Sequence, residues 1–408
     1  YGPVEVFMTK VTIPTEALET WAGYLLDHSL GGITAEDRVM IKGESICWPL
    51  IEVLERRIIE AGGVPDVLLV PPNNDRGRVW SAAMARSGSA EQLERIPEWH
   101  RARYESMTKY IGVLGASDPT SYADLDASQN QALAGADRPF ANIRIAKPWV
   151  LTLYPTQGFA DLEGLDLETY ADFIVRASTE DPMPLKTAEE KIAPLFDTGR
   201  EMTIVTVHPD DGRELTLTLD LQPSIAVMSY GLRNFPDGEV FTSPDARRSE
   251  GELYLDLTVN YGGKDIQGIY LKFEKGIIVD YSARVGHEAL AAIIETDDGS
   301  HRLGEVALGM NAGMERVLKH PLFVEKVGGT LHVAIGMSYE TCYVTDPSSA
   351  EGRARLDELT ESGALNRSAQ HVDIVADFRP GGCGRRVEID GVRLVPKDGF
   401  WVVADGEA

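Results

Sequence analysis

The segment HVDIVADF sets His371 and Asp373 two residues apart in a run that otherwise reads as a β-strand. Alternation along a strand sends both side chains to one face. A charge and an imidazole among buried Ile and Val cost several kcal/mol unless something pairs with them, and a divalent metal does so with two bonds. For this dyad alone a hydrogen-bonded His/Asp pair is the better explanation, so other segments have to decide. In GTLHVAIGMSY, His332 sits in a second apolar, glycine-flanked run. In RLGEVALG, Glu305 follows Leu303-Gly304 and precedes Val306, an expensive place for a carboxylate without a cation. In NFPDGEVFTSP, Glu239 follows a Pro-Asp-Gly turn at the entry to an apolar strand. Each has an ordinary explanation by itself. Together, two His, two Glu and one Asp make the ligand set of a dinuclear site, in which a carboxylate bridges the ions and a water between them is acidified.

Other chemistries lack their residues. His287-Glu288 opens a zincin-like pattern, but no second histidine follows one turn later. There is no P-loop, no dinucleotide fingerprint and no G-x-S-x-G elbow; Gly43-Glu-Ser-Ile-Cys47 departs from the elbow at its last position. Cys47, Cys342 and Cys383 are widely spaced and form no C-x-x-C pair, which argues against a disulfide framework or a thiolate zinc site and fits a reducing cytoplasm. The formal charge of −25 would repel nucleic acid and anionic lipid. No apolar stretch is long enough for a membrane helix, and the opening YGPVEVFMTKVTIP lacks a basic segment followed by an apolar run.

The elements that must position these residues change character along the 408-residue chain. The first half alternates amphipathic helical runs, such as EALETWAGYLLDHSL and WPLIEVLERRIIEAG, with short β-branched runs such as VPDVLLVPP, YIGVLGASDP and IAKPWVLTLYPT. That pattern predicts an α/β N-terminal domain with a mostly parallel sheet, over 1–195. From about Glu201, EMTIVTVHPDDGRELTLTLDL and GELYLDLTVNYGGKDIQGIYLKFEKGIIVDYSA read as hairpins around Asp-Asp-Gly, Gly-Gly and Lys-Gly. An α+β C-terminal domain rich in antiparallel strands, 196–408, is therefore expected to carry the metal site. Helical pieces are predicted near HEALAAIIET, MERVLKHPLF and EGRARLDELTES, the last within a polar insertion from about Glu340 to Gly363.

The order and wording of NFPDGEVFTSP, RLGEVALG, GGTLHVAIGMSY and NRSAQHVDIVADF resemble the motifs of the aminopeptidase T and aminopeptidase S metallopeptidases. The resemblance implies metal-ligand roles for Glu239, Glu305, His332, His371 and Asp373, and a site role for Tyr339 as ligand or oxyanion donor. It also implies two divalent ions per chain (Zn, Co or Mn), short peptide substrates cut at the N-terminal residue, and a homodimer with an enclosed site. As a working partition, Glu305 bridges, Glu239 and Asp373 complete one ion's shell, and His332 and His371 serve the other. A related branch on the same scaffold, the 2,5-dihydroxypyridine dioxygenases, would use His332, His371 and Asp373 around a single Fe(II). A metal-stabilised binding protein with saturated ligands is the non-catalytic alternative.

Overall fold

The computed structural model describes residues 11–71, 78–261, 263–379 and 384–404; Cys383 lies outside them. The chain forms two units, one running up to Glu180 and including Gly231–Pro236, the other taking Asp181–Tyr230 and everything from Asp237 onward. Residue 195 falls inside the helix Met183–Thr198, which belongs wholly to the second unit.

In the first unit, Val64–Val70, Arg38–Glu44, Lys109–Leu114 and Trp149–Leu153 lie side by side in that order, and every pair is parallel. Parallel strands need covered faces, and Val39, Met40 and Ile41 are consecutively buried as that requires. The helix Trp48–Glu60 supplies cover through Leu50, Ile51, Leu54 and Ile58. It stops where the sequence predicts, because Gly62 adopts a left-handed φ of 87° and Gly63 N–H turns back to the Ile58 carbonyl. The segment 231–236 returns to this unit through Leu151, whose N–H donates to Arg233 O and whose carbonyl accepts from Phe235 N, both at 2.8 Å.

The second unit is antiparallel, as the hairpin signals require. One sheet of nine strands contains the predicted pairs Glu201–Val207 with Glu214–Asp220 and Lys264–Glu274 with Ile277–Val285. The second of these turns at Lys275 and Gly276, both at positive φ (53° and 78°), the geometry that matches strand twist in two-residue hairpins. The other sheet has five strands in the order His371–Asp377, Thr330–Gly336, Leu303–Gly309, Glu239–Thr242 and Val227–Ser229. Apolar side chains from both sheets, with Ile192 and Phe196 of the helix Met183–Thr198 and Leu290 and Ile293 of His287–Ile294, form one core. The fold class expected from sequence is the one observed.

One helix was misplaced. MERVLKHPLF is helical only over Pro321–Val324, with the chain before it in turns. Pro321 fits the first turn of a helix but breaks a helix that would run into it, so the apolar spacing upstream misleads. The insertion carries its expected helix, Ala350–Glu361.

Candidate metal centre

The five-stranded sheet separates its residues by face. Register places Ala334 opposite both Glu305 and Asp373, and Ala307 opposite both His332 and Phe241. Alternation then puts Glu239, Glu305, His332, His371 and Asp373 on one face, while Val240, Val306, Leu308, Leu331, Val333, Ile335, Val372 and Ile374 point into the core. Ala307 and Ala334 keep the floor between the polar side chains shallow.

Glu305 reaches this face through an irregularity. Leu303 and Glu305 are two apart and would share a face in a regular strand, yet Leu303 is in the core. The register shifts between them, at Gly304, and the bulge turns Glu305 over. A Cβ at Gly304 would lie 2.2 Å from the Met337 carbonyl oxygen, so only glycine lets the strands close at the bulge.

The side chains converge. His332 Nε2 is 3.0 Å from Glu305 Oε1, 3.3 Å from Glu239 Oε2 and 3.9 Å from Asp373 Oδ1. His371 Nε2 is 3.3 Å from Glu305 Oε2 and 3.4 Å from Asp373 Oδ1. Its Nδ1 faces the Met337 carbonyl at 2.7 Å; a carbonyl only accepts, so Nδ1 carries a proton, and in the neutral ring the Nε2 lone pair would face the carboxylates. Three donor groups have ligand atoms within 4.8 Å of one another: Glu239/Glu305/His332, Glu305/His371/Asp373 and Glu325/His332/Asp373. Glu305 is shared by the first two, and each of those takes one imidazole, a different grouping from one that gathers both histidines around one ion.

Three site neighbours carried no sequence signal. Glu325, just past the helix Pro321–Val324, joins the third donor group. Lys326 is buried, forms a very close ion pair with Glu239 Oε1, and lies 2.9 Å from Glu325 Oε1 and 3.6 Å from Asp237 Oδ1. A charged pair on a short loop is usually a solvated one, and neither position alternates with apolar neighbours. A third, Glu189 on the helix Met183–Thr198, is wholly buried; burial first, then Asp237 and Glu239, pushes its carboxyl up to about 10, so it is neutral.

The donor set fits divalent cations. Glu239 Oε2, Glu305 Oε2 and Asp373 Oδ1 are buried oxygens without a well-formed hydrogen bond. Five carboxylates (Asp237, Glu239, Glu305, Glu325, Asp373) face one ammonium, an excess of four negative charges that two divalent ions would neutralise. With protons as the only counter-ions, the cluster holds them itself: burial pushes the carboxyl of Glu325 well above its usual range and raises that of Glu239, and the imidazoles take protons too. Burial disfavours the imidazolium of His332, but the bond to Glu305 and the charges of Glu239 and Asp373 outweigh it and hold the group at about 9. The same balance raises His371 and depresses Asp373.

Tyr339 stands beside the cluster, its ring 4.6 Å from that of His371 and 5.6 Å from that of Phe241. Tyr339 is 40% exposed as a residue, but the crowding around its hydroxyl, then Glu305, Asp373 and the other carboxylates, raise its pKa above the usual value, so it keeps its proton and is a donor. The insertion closes over the same face: Cys342, Tyr343, Leu356 and Leu359 pack with Phe241 and Ala307.

The thermophilic metalloprotease (M29) family model matches residues 15–383. This chain belongs to that family. It is a metallopeptidase, a hydrolase, as the resemblance in its C-terminal motifs implied. Aminopeptidase 2 of Geobacillus stearothermophilus is 30% identical over 310 residues, 70% of this chain and 72% of that protein. The AmpT structure from Thermus thermophilus matches 95% of this chain and 99% of its own with a TM-score of 0.74 at 22% identity. The 2,5-dihydroxypyridine dioxygenase of Pseudomonas putida matches over 97% and 100% with a TM-score of 0.58 at 14% identity. Both structural likenesses speak for the fold, and a fold can host more than one chemistry.

Proposed function

We propose that this chain is a metalloaminopeptidase that releases N-terminal residues from short peptides at a centre of two divalent cations, Zn, Co or Mn. The observation that carries the reading is Glu305, whose carboxylate stands in two tight donor groups at once, one with Glu239 and His332 and one with His371 and Asp373. A bridging carboxylate is what a paired site needs and a single-ion site does not. The related aminopeptidase supplies the substrate class.

Cations at this centre would polarise the scissile carbonyl and acidify a water to neutral pH. The protein's own groups do the rest. Glu239 and His332 hold one side, and His371 and Asp373 the other, with Glu305 between them. Lys326 fixes Glu239 and offsets part of the carboxylate charge. Tyr339, protonated and beside His371, donates to the oxygen that gains charge as the peptide carbon becomes tetrahedral. The carboxylate oxygens of the same face are acceptors for a free α-amine, which a blocked N-terminus does not offer. The implied homodimer belongs to the same reading and is checked by light scattering on the eluting protein.

The fold shared with a dioxygenase gives a second reading, with His332, His371 and Asp373 around one iron. Each of the three tight donor groups contains a glutamate, which favours hydrolysis. Replacing Glu305 by Ala should remove both metal content and hydrolysis of L-leucyl-p-nitroanilide. Full activity in that variant would sink the assignment.

A further inference from the structure

The first unit holds a cavity of about 550 Å³, within the size range of small-molecule sites, that the peptidase chemistry does not use. Lys42, Gly43 and Glu44 line it from the end of one strand, Val113 and Leu114 from the end of its parallel neighbour. From Arg38–Glu44 the chain passes to Val64–Val70 on one side, then crosses to Lys109–Leu114 on the other. Connections that leave two adjacent parallel strands in opposite directions open a crevice at their carboxyl ends, the position where sheets of this kind take ligands.

The polar lining is richer in donors than in acceptors. Lys42 is 7% exposed, and its ammonium, with three donors, makes one hydrogen bond, to Tyr104 Oη at 2.8 Å. Burial lowers it to about 8, against the partial support of Asp137. Arg144 lies over the rings of Trp149 and Tyr110, at 4.6 and 5.5 Å, which fixes its plane; its Nη1 is buried with no hydrogen-bond partner. Leaving such donors unmet in the interior is costly, and more so for a charged group. Arg78 and Arg138 also line the cavity, and Glu44 and Asp137 are its acids. Asp137 already accepts from Val79 N at 2.7 Å. Among the described residues, four cations and two carboxylates line it, in a chain whose formal charge is −25. Neutralising Glu44 and Asp137 would need two of those cations. Tyr104, Phe140 and Leu151 supply apolar wall beside these cations.

We propose that this crevice binds a small organic anion, a carboxylate or phosphate monoester on a planar or apolar body, whose head is taken by Lys42 and Arg144. The rings of Phe140 and Tyr104 take the body. Its lining residues all belong to the first unit.

Isothermal titration of the full chain with phenylacetate and with adenosine 5′-monophosphate tests it, alongside Lys42→Met and Arg144→Gln. The expected result is one saturable site per chain for at least one probe, weakened about tenfold or more in each variant that melts as the wild type does. Binding of the nucleotide alone identifies a phosphate head, and binding of phenylacetate alone a carboxylate head. Either variant suffices if the other fails to fold. No saturable binding of either probe up to about 10 mM, or an affinity unchanged in a folded variant, overturns the proposal.

Discussion

The two faces of the five-stranded sheet share strands, hydrogen bonds and register, yet they do opposite things. One face is Val, Leu and Ile packed against the nine-stranded sheet; the other concentrates five acids and bases whose charges have no solvent to dissipate into. Alternation alone assigns a residue to one side or the other. What differs is the partner each face demands: apolar side chains are satisfied by one another, while the carboxylates need counter-charge that Lys326 only partly supplies. The core face is therefore a matter of stability and the polar face one of ligand binding, and substitutions should sort the same way.

The largest effect should come from His371→Ala. It removes a donor of the Glu305/His371/Asp373 group and the ring beside Tyr339, and should lower kcat by about a thousandfold or more while metal content falls, read by kinetics and elemental analysis on the same sample. Activity within a few-fold of wild type would mean that the polar face is not the reactive one. Tyr339→Phe should be milder: about a hundredfold in kcat, with metal content unchanged and KM little moved, because a donor used in the transition state is lost and no ligand is. Loss of metal in that variant would instead make Tyr339 a ligand.

A pH experiment sharpens the contrast further. His332, raised from 6.5 to about 9, stabilises the metal-free protein fully below about 6.5, and that contribution is lost as pH rises through 9. A cation must displace this proton, so metal affinity should increase between about pH 6.5 and 9 and binding should release protons, visible as a buffer-dependent heat. A heat independent of buffer ionisation would show His332 already neutral. On the other face, Ile374→Val should cost about 1 kcal/mol of stability in a denaturant melt and leave metal content and kinetics unchanged, the smallest of these effects.

How much of this was legible beforehand follows from the same division. Glu305, His332, His371 and Asp373 stood out because each interrupts an apolar strand, where a charge is costly. Glu239 and Tyr339 rested on wording shared with a family. Glu325, Lys326 and Glu189 were invisible: the first two sit on a short loop and the third on a helix, where charged residues are ordinary. The bulge at Gly304 was equally hidden, although RLGEVALG contains it, since strict alternation would have sent Leu303 and Glu305 the same way. The architecture read more easily, with helix stops at Gly62 and hairpins at Lys275-Gly276 marked by their glycines. The helix expected across MERVLKHPLF failed because Pro321 outranks apolar spacing.

The proposed function requires the polar face to hold two cations, with Glu305 available to both of its donor groups. The most direct measurement is metal identity and stoichiometry on protein purified without added metal, with the Glu305→Gln variant beside it. Two divalent ions per chain, falling to one or none in the variant, is the predicted result. A single iron per chain, unchanged by the substitution and accompanied by oxygen uptake on 2,5-dihydroxypyridine, would contradict it.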